Sequence, residues 1–296
     1  MTGTGGRRAR GLLVCAVAYL AATGAALLTA RSMADSHPLL VLLAADVAAT
    51  VVVFLFSLGA DNSSIYDPYW SVVPPVIALY WALRPEAAAD VERQVIVGGL
   101  VLAWAVRLTF NWIRRWEGLG WEDWRYTDFR TQWGRLYWPG SFFGIHLVPT
   151  LIVYLACLPL WPAMAVGPRP VGILDLLAAL VTGGAIWLET VADRQLHRFL
   201  QGPARDRTLA SGVWAWSRHP NYLGEVLFWW GLWLFGVGAD PAFWWTVIGP
   251  LVMTTLFVFI SVPMIDRRML ARRPDYAARL ERVPALLPRL VRNRPD

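Results

Sequence analysis

The sequence contains no lysine; all 27 basic residues are arginine. That removes every chemistry built on a lysine amine, including the Schiff base, the phosphate-loop lysine and the lysine general base. Only two cysteines are present, Cys15 and Cys157, both inside apolar runs, which excludes a disulfide framework and a cysteine-based zinc site. Four histidines (His37, His146, His197 and His219) are too few for the His-rich iron sites of membrane desaturases. Charged residues are 16% of the 296 positions, against about 25% in soluble domains. A soluble domain, a disordered chain and a coiled coil are thereby excluded. Hydrophobic residues make up 56%, and the 18 tryptophans belong to a residue type that favours membrane interfaces and apolar cavities. The composition is that of an integral membrane protein.

Apolar runs suited to roughly 30 Å of hydrocarbon fall at 11–30, 38–59, 71–84, 94–113, 141–163, 170–192, 221–238 and 242–263. The third is short and contains Pro74-Pro75, so a broken or tilted helix is expected there. Arg7, Arg8 and Arg10 precede the first run, whose length exceeds a signal-peptide core, so it reads as an uncleaved first helix. Gly3, Gly5 and Gly6 follow no strand and read as tail rather than dinucleotide loop. The expected fold is an all-α polytopic transmembrane bundle of about eight spans (seven or eight). It has a tail at 1–10, a membrane domain over 11–265 and a basic tail at 266–296. With eight spans and the N-terminus inside, 22 arginines fall on the cytoplasmic face. Four fall outside (Arg31, Arg84, Arg93 and Arg169), and Arg107 lies within a span. Both termini and the polar chemistry are therefore expected on the cytoplasmic side. The pI near 9.7 reflects those arginines and needs no nucleic-acid partner.

Charges inside spans are costly and mark functional positions by default. They are Asp46, Arg107, Asp175, Glu189, Asp193 and Glu225. Asp175 is near the outer end of its span and reads as solvated, whereas Asp46 suits either a buried hydrogen bond or a catalytic role. Glu189, Asp193 and His197, spaced i, i+4, i+8, share one helix face. A metal there would need ligands from His219, Glu225 or His146, and no HxxxH or HExxH pattern supplies them, so no metal is expected. The loop 114–140 carries Trp116, Trp121, Trp124, Trp133 and Trp138 among charged residues. It reads as an interfacial belt, an aromatic lid, or both.

The most informative stretch runs from Ser211 to Glu225. Pro220 opens a helix, and Asn221 and Glu225 share its next face. Gly224 lets another backbone or a flat ligand come close. Arg218 and His219 stand ahead of the helix N-terminus, a place that favours an anion such as the phosphate of a cofactor. A helix-start cap is the plain alternative. A second basic group follows the last span: Asp266, Arg267, Arg268, Arg272 and Arg273, then Asp275-Tyr276. Its arginine forks suit phosphates, with attraction to anionic lipid as the plain alternative. Arg107, Asn111 and Arg114 or Arg115 line the end of a further helix.

The run Trp216-Ser-Arg-His-Pro-Asn-Tyr-Leu-Gly-Glu225 resembles the signature of the steroid 5-alpha-reductase-like membrane proteins, in the branch catalogued as a domain of unknown function (DUF1295). Tyr66-Asp-Pro-Tyr-Trp70, Glu122-Asp-Trp-Arg-Tyr126 and Ser261-Val-Pro263 are similar to that branch too, so the resemblance covers about 40–290. The shorter core Arg-His-Pro-x-Tyr-x-Gly is shared with isoprenylcysteine carboxyl methyltransferase-like enzymes, which bind S-adenosylmethionine. The resemblance implies an NADPH-dependent reductase acting on a carbon–carbon double bond, with cofactor contacts matching Asn221, Glu225 and Asp193. The family's Arg one turn after that Asp is His197 here. An Asp-Tyr near the C-terminus matches Asp275-Tyr276. Steroid reductases polarise the substrate carbonyl with a Glu and a Tyr in early helices, and their Gln-x-x-Glu pattern is absent here.

Together these readings make about 170–290 the cofactor-binding half. Arg218, His219, Arg267, Arg268 and Arg273 are expected at the phosphates. Asn221, Tyr222 and Glu225 are expected at the nicotinamide or adjoining ribose. Asp193, His197, Tyr276, Arg107 and Asn111 complete the cofactor set. Tyr66, Asp67 and Tyr69 are the expected acid–base groups, and a lipid or steroid-like molecule is the expected substrate. The alternatives are an S-adenosylmethionine-dependent membrane methyltransferase and a non-catalytic lipid- or sterol-binding scaffold. A transporter is disfavoured, because the polar cluster is one-sided and no repeat is present.

Overall fold

The computed structural model describes residues 3–84 and 87–287, and the end of the basic tail (288–296) lies outside the described residues. Twelve α-helices and no strand occur among the described residues. Seven of the helical segments are long and apolar enough to cross a membrane. The third apolar run is not among them. It becomes α3 (Tyr69–Ala82), 14 residues with Pro74 and Pro75 inside, or about 21 Å of helix against roughly 30 Å of hydrocarbon. The chain divides into two compact units, the first comprising residues up to Tyr80 and Trp104–Cys157, the second Trp81–Ala103 and everything from Leu158 on.

Unit 1 is built on α1 (Gly3–Ser32) and α2 (Pro38–Gly59), which pack along their lengths. Residues 3–10, read as part of an N-terminal tail, belong to the first helix, and residues 1–2 lie outside the described residues. Pro38 sits at the first turn of α2, and His37 Nδ1 accepts from Leu39 N at 3.3 Å. α4 (Val91–Arg115) starts in unit 2 and finishes in unit 1. Ser71 Oγ lies 2.8 Å from Thr109 Oγ1, so α3 leaves the end of unit 1 at which α4 finishes. At that same end Arg8 Nη2 donates to Ile113 O, and Asn62 Nδ2 donates to Leu119 O and Trp121 O. Arg8, Asn62 and the start of the aromatic loop 114–140 thus gather at one end of unit 1. α5 (Trp124–Trp133), capped by Asp123, leads through α6 (Tyr137–Ser141) and a π-helical turn (Phe142–Leu147) into α7 (Val148–Ala156).

Unit 2 is dominated by the packing of α8 (Ile173–Gln201) on α9 (Pro220–Ala239). The buried residues of α8 are Asp175, Ala178, Thr182, Ala185, Glu189 and Ala192, spaced alternately three and four apart. Leu176, Leu180 and Trp187, off that stripe, are exposed as expected of a lipid-facing side. α9 meets the stripe with Gly224, Gly231 and Gly238, one every second turn. A Cβ at Gly231 would lie 2.0 Å from Thr182 Oγ1, and one at Gly238 3.3 Å from Asp175 Oδ1. Lipid supplies no hydrophobic drive between helices, so close backbone approach through small residues holds such a pair. At one end of unit 2, buried Arg93 donates Nε and Nη2 to Asp175 (2.7 and 2.9 Å) and Nη1 to Arg169 O (2.7 Å). Asp175 is thus a buried ion-pair partner rather than a solvated residue. The chain then continues through α10 (Ile248–Leu256), α11 (Val262–Arg272) and α12 (Tyr276–Arg282).

Candidate functional site

Each unit holds a polar cluster that contains residues expected at the site. In unit 2 it gathers around Asp266 on α11, which is buried. His219 Nε2 lies 2.8 Å from Asp266 Oδ1, Arg218 Nη2 donates to Oδ2 at 2.8 Å, and Tyr276 Oη donates to Oδ1. Burial, with the Asp266 carboxylate beside it, pushes the Tyr276 phenol above its ordinary range. Arg218 Nη1 also donates to Val283 O (2.6 Å) and Leu280 O (3.1 Å). The backbone N–H groups of Arg218 and His219 donate to Pro284 O and Ala285 O, and Ser217 Oγ donates to Ala285 O. Arg279 returns the contact to the carbonyls of Trp214 and Ser217. Residues 276–287 are therefore a strap tied across the Arg-His-Pro segment, and a boundary at 266 would cut α11 in half. The reason is electrostatic: the Arg218 cation ahead of α9 is neutralised by the acid that α11 turns toward it, and His219 bonds to the same carboxylate.

Arg218 and His219, expected at an anion, are both engaged by Asp266. One donor of the pair stays unspent, because Arg218 Nε is buried with no hydrogen-bond partner among the described residues, and Arg273 Nη1 is in the same position. Arg273 lies over the Phe199 ring, 6.0 Å from guanidinium carbon to centroid. Arg267 is exposed and Arg268 half-buried. Asn221 is half-buried and its amide has no partner among the described residues. One turn on, Glu225 is buried and accepts from Trp229 Nε1 at 3.1 Å. Tyr222 stacks on His219 with centroids 5.4 Å apart. On α8, Asp193 is half-buried, while His197 is exposed and bonded to Gln201 at 2.9 Å. Gly224 is filled by a neighbouring helix: a Cβ there would lie 2.4 Å from Glu189 Cγ and 2.9 Å from Ala185 O. Its role is helix packing, the backbone approach rather than the flat ligand. Asp275 accepts from Thr208 N and Oγ1 (2.9 and 2.8 Å), and the Thr208 N–H holds its carboxyl below the ordinary range.

The unit 1 cluster contains Tyr66, Asp67 and Tyr69, and α4 places Arg107 and Asn111 in this unit as well. The expected partnership of Asp67 with a neighbouring Tyr is replaced by two others. Tyr69 donates to Asp46 Oδ1 at 2.5 Å, and Tyr126 donates to Asp67 Oδ1 at 2.5 Å. Tyr66 stacks on Tyr69 at 4.9 Å and shares a hydrogen bond with Thr150 Oγ1 (2.7 Å), which in turn meets Thr50 Oγ1 at 2.6 Å. Asp46, Thr50 and Ser57 line one face of α2 and are buried. Asp46 Oδ2 is buried without a hydrogen-bond partner among the described residues. Sequence reasoning singled out Asp46 but missed Thr50, Tyr126, Thr150 and the hydrogen-bonding role of His146. The i, i+4, i+11 spacing of Asp46, Thr50 and Ser57 was the available signal. Among the described residues no group of three or more His, Cys, Asp or Glu is placed to hold a metal ion.

Burial pushes the Asp67 carboxyl up from 3.8 to about 6, while the Arg125 guanidinium, 3.7 Å away, pulls it down. Between those pH values the folded chain keeps a proton that the unfolded chain has lost, so Asp67 lowers stability as pH rises from about 4 to about 6. The cost is at most about 3 kcal/mol. Melting temperatures measured across that range should fall less steeply with pH in Asp67→Asn than in the parent. Parallel curves would contradict the assignment.

Seven lipid-length helices with a polar cluster in each unit define a polytopic, all-α integral membrane protein. Residues 53–283 match a family described as a protein of unknown function (DUF1295), a stretch that includes Tyr66, Asp67, Tyr69, Arg218, His219 and Asp266. The chain belongs to this family. It is also 27% identical over 282 residues to an uncharacterized protein of Schizosaccharomyces pombe, covering 86% of this chain and 81% of that one. No solved structure matches it.

Proposed function

We propose that the chain is a membrane reductase that uses NADPH to reduce a carbon–carbon double bond, conjugated to a carbonyl, in a lipid or steroid-like substrate. The observation that carries this reading is the face of α9 on which Asn221 keeps an uncommitted amide one turn from the buried Glu225 carboxylate. The buried, unspent donors Arg218 Nε and Arg273 Nη1 belong to the same unit and fit an anionic ligand. NADPH, when bound, supplies the hydride. Asn221 would orient the carboxamide or ribose edge, with Tyr222 and Glu225 fixing that edge. Asp193 and His197, one turn apart on α8, would add further polar contacts, and Tyr276 would act through Asp266. The phosphates would be held by Arg267, Arg268 and Arg273, and by Arg218 through Nε. Entry from the cytoplasmic face follows from the arginine distribution.

In unit 1, Tyr69 holds a proton on Oη against Asp46 Oδ1, the carboxyl–phenol pairing that a developing enolate needs for stabilisation. Tyr66 stacks on it, and Asp67 is a neighbouring acid engaged with Tyr126.

The second reading is an S-adenosylmethionine-dependent methyltransferase, favoured by the Arg218-His219-Pro220-x-Tyr222-x-Gly224 core. Binding of the two cofactors to Asn221→Ala separates them. NADPH affinity should fall about tenfold, the loss of about 1.4 kcal/mol that one ligand hydrogen bond supplies. Unchanged NADPH affinity in that variant would remove the Asn221 assignment. Binding of S-adenosylmethionine alone would favour the methyltransferase, and binding of neither a lipid-binding scaffold.

A further inference from the structure

Unit 1 contains a second feature that the proposed chemistry does not use, centred on His146. Its ring is fully buried, in the π-helical turn between α6 and α7, an irregularity that recurs at functional positions. Nδ1 lies 3.0 Å from Ser141 O and 3.4 Å from Ser141 Oγ, and Nε2 lies 3.2 Å from Ser57 Oγ. Both neutral tautomers are therefore satisfied. With the proton on Nδ1, that nitrogen donates to Ser141 O and Nε2 accepts from Ser57. With it on Nε2, the ring donates to Ser57 and Nδ1 accepts from Ser141 Oγ. A purely structural histidine needs only one of these arrangements.

From Ser141 the hydroxyls continue outward. Ser141 Oγ is 3.1 Å from Ser63 Oγ, which is 2.7 Å from Tyr137 Oη, and Tyr137 Oη is 3.5 Å from Glu122 Oε1. Ser63, Ser141 and Ser57 are fully buried. Glu122 pairs with Arg130 at 2.7 Å, and Arg130 with Asp61, whose side chain is 78% exposed. The hydroxyl line thus runs from the Glu122 carboxylate, whose side chain is 11% exposed, to a buried imidazole, through hydroxyls that each donate and accept.

We propose that unit 1 carries a proton path from Glu122 to His146 through Tyr137, Ser63 and Ser141. With His146 carrying its proton on Nε2, a proton that Glu122 takes from water passes to Tyr137 Oη. The Tyr137 proton moves to Ser63, the Ser63 proton to Ser141, and the Ser141 proton to Nδ1. Glu122 ends as carboxylate and His146 as imidazolium, with every hydroxyl restored. The two longest links, at 3.4 and 3.5 Å, must shorten by a few tenths of an ångström for transfer. The purpose rests on the reductase reading, since each reduction consumes one proton from water, but the geometry does not.

The test is hydrogen–deuterium exchange at the His146 ring, followed by NMR of the full-length protein with ¹⁵N-labelled histidine in nanodiscs. With four histidines in the chain, the His146 signal is assigned by its loss in His146→Gln. Ser63→Ala and Tyr137→Phe each remove one hydroxyl and are expected to slow exchange at least tenfold. A network that served only structure would be loosened by either change and exchange at the parent rate or faster, and that result in Tyr137→Phe overturns the proposal. NADPH binding is measured on the same samples. Slowed exchange without NADPH binding would leave the path standing and remove the reductase reading.

Discussion

Asp266→Asn is expected to lower the stability of the folded chain by about 3–5 kcal/mol, the usual cost of removing one partner from a buried ion pair. For a domain of this size that is a fall of roughly 10 °C in melting temperature. The reason is that Arg218, His219 and Tyr276 lose the same hydrogen-bond acceptor together. Arg218 and His219 have side chains only 11% and 6% exposed, and both meet Asp266 at 2.8 Å. Water cannot replace the carboxylate at such depth, so two donors and the Tyr276 hydroxyl are left facing an uncharged amide. The strap 276–287 should loosen with it, and protease cleavage near Leu280 should accelerate, while Asp266→Glu should restore part of the stability. A melting temperature within about 1 °C of the parent would show that the strap is held by its backbone contacts alone.

Gly224→Ala is expected to cost about 1–3 kcal/mol, the usual range for forcing a methyl into a packed interior. Its Cβ would stand 2.4 Å from Glu189 Cγ and 2.9 Å from the Ala185 carbonyl oxygen. The Glu189 side chain can shift, but the α8 backbone can do so only by moving away from α9. Because Asn221 and Glu225 lie within one turn of Gly224, NADPH affinity should fall along with stability. Gly184→Ala provides the contrast: no atom lies within 4 Å of its Cβ, so the helix propensity of Ala makes it neutral or slightly stabilising. Equal effects from the two substitutions, read by thermal unfolding in detergent, would contradict the packing account of α9.

Much of the fold is legible in the sequence because lipid imposes a simple rule. Runs of about 20 apolar residues had to be helices, and the three-and-four spacing of Asp175, Ala178, Thr182, Ala185, Glu189 and Ala192 marks the buried face of α8. Pro220 opens α9 as its ring geometry requires. The site is less legible, because its partners meet only after folding. Arg218 and His219 ahead of a helix read as an anion site, but the sequence does not show that Asp266, 47 residues beyond His219, stands 2.8 Å from that imidazole. An acid between an apolar span and a run of arginines was the clue. Asp67 looked like the companion of Tyr66 and Tyr69 because it stands between them, yet adjacent residues at a helix start point different ways. Tertiary packing gave Tyr69 to Asp46 and Asp67 to Tyr126.

The central claim, that this membrane protein holds NADPH, is tested most directly by a thermal-shift titration of the purified full-length protein with NADPH, NADH and S-adenosylmethionine. A ligand that binds only the folded state stabilises it by about 2.7 kcal/mol at a hundred times its Kd. The account predicts a rise in melting temperature with NADPH that is reduced in both Asn221→Ala and Glu225→Ala. A rise with S-adenosylmethionine alone, or none with any of the three, would contradict it.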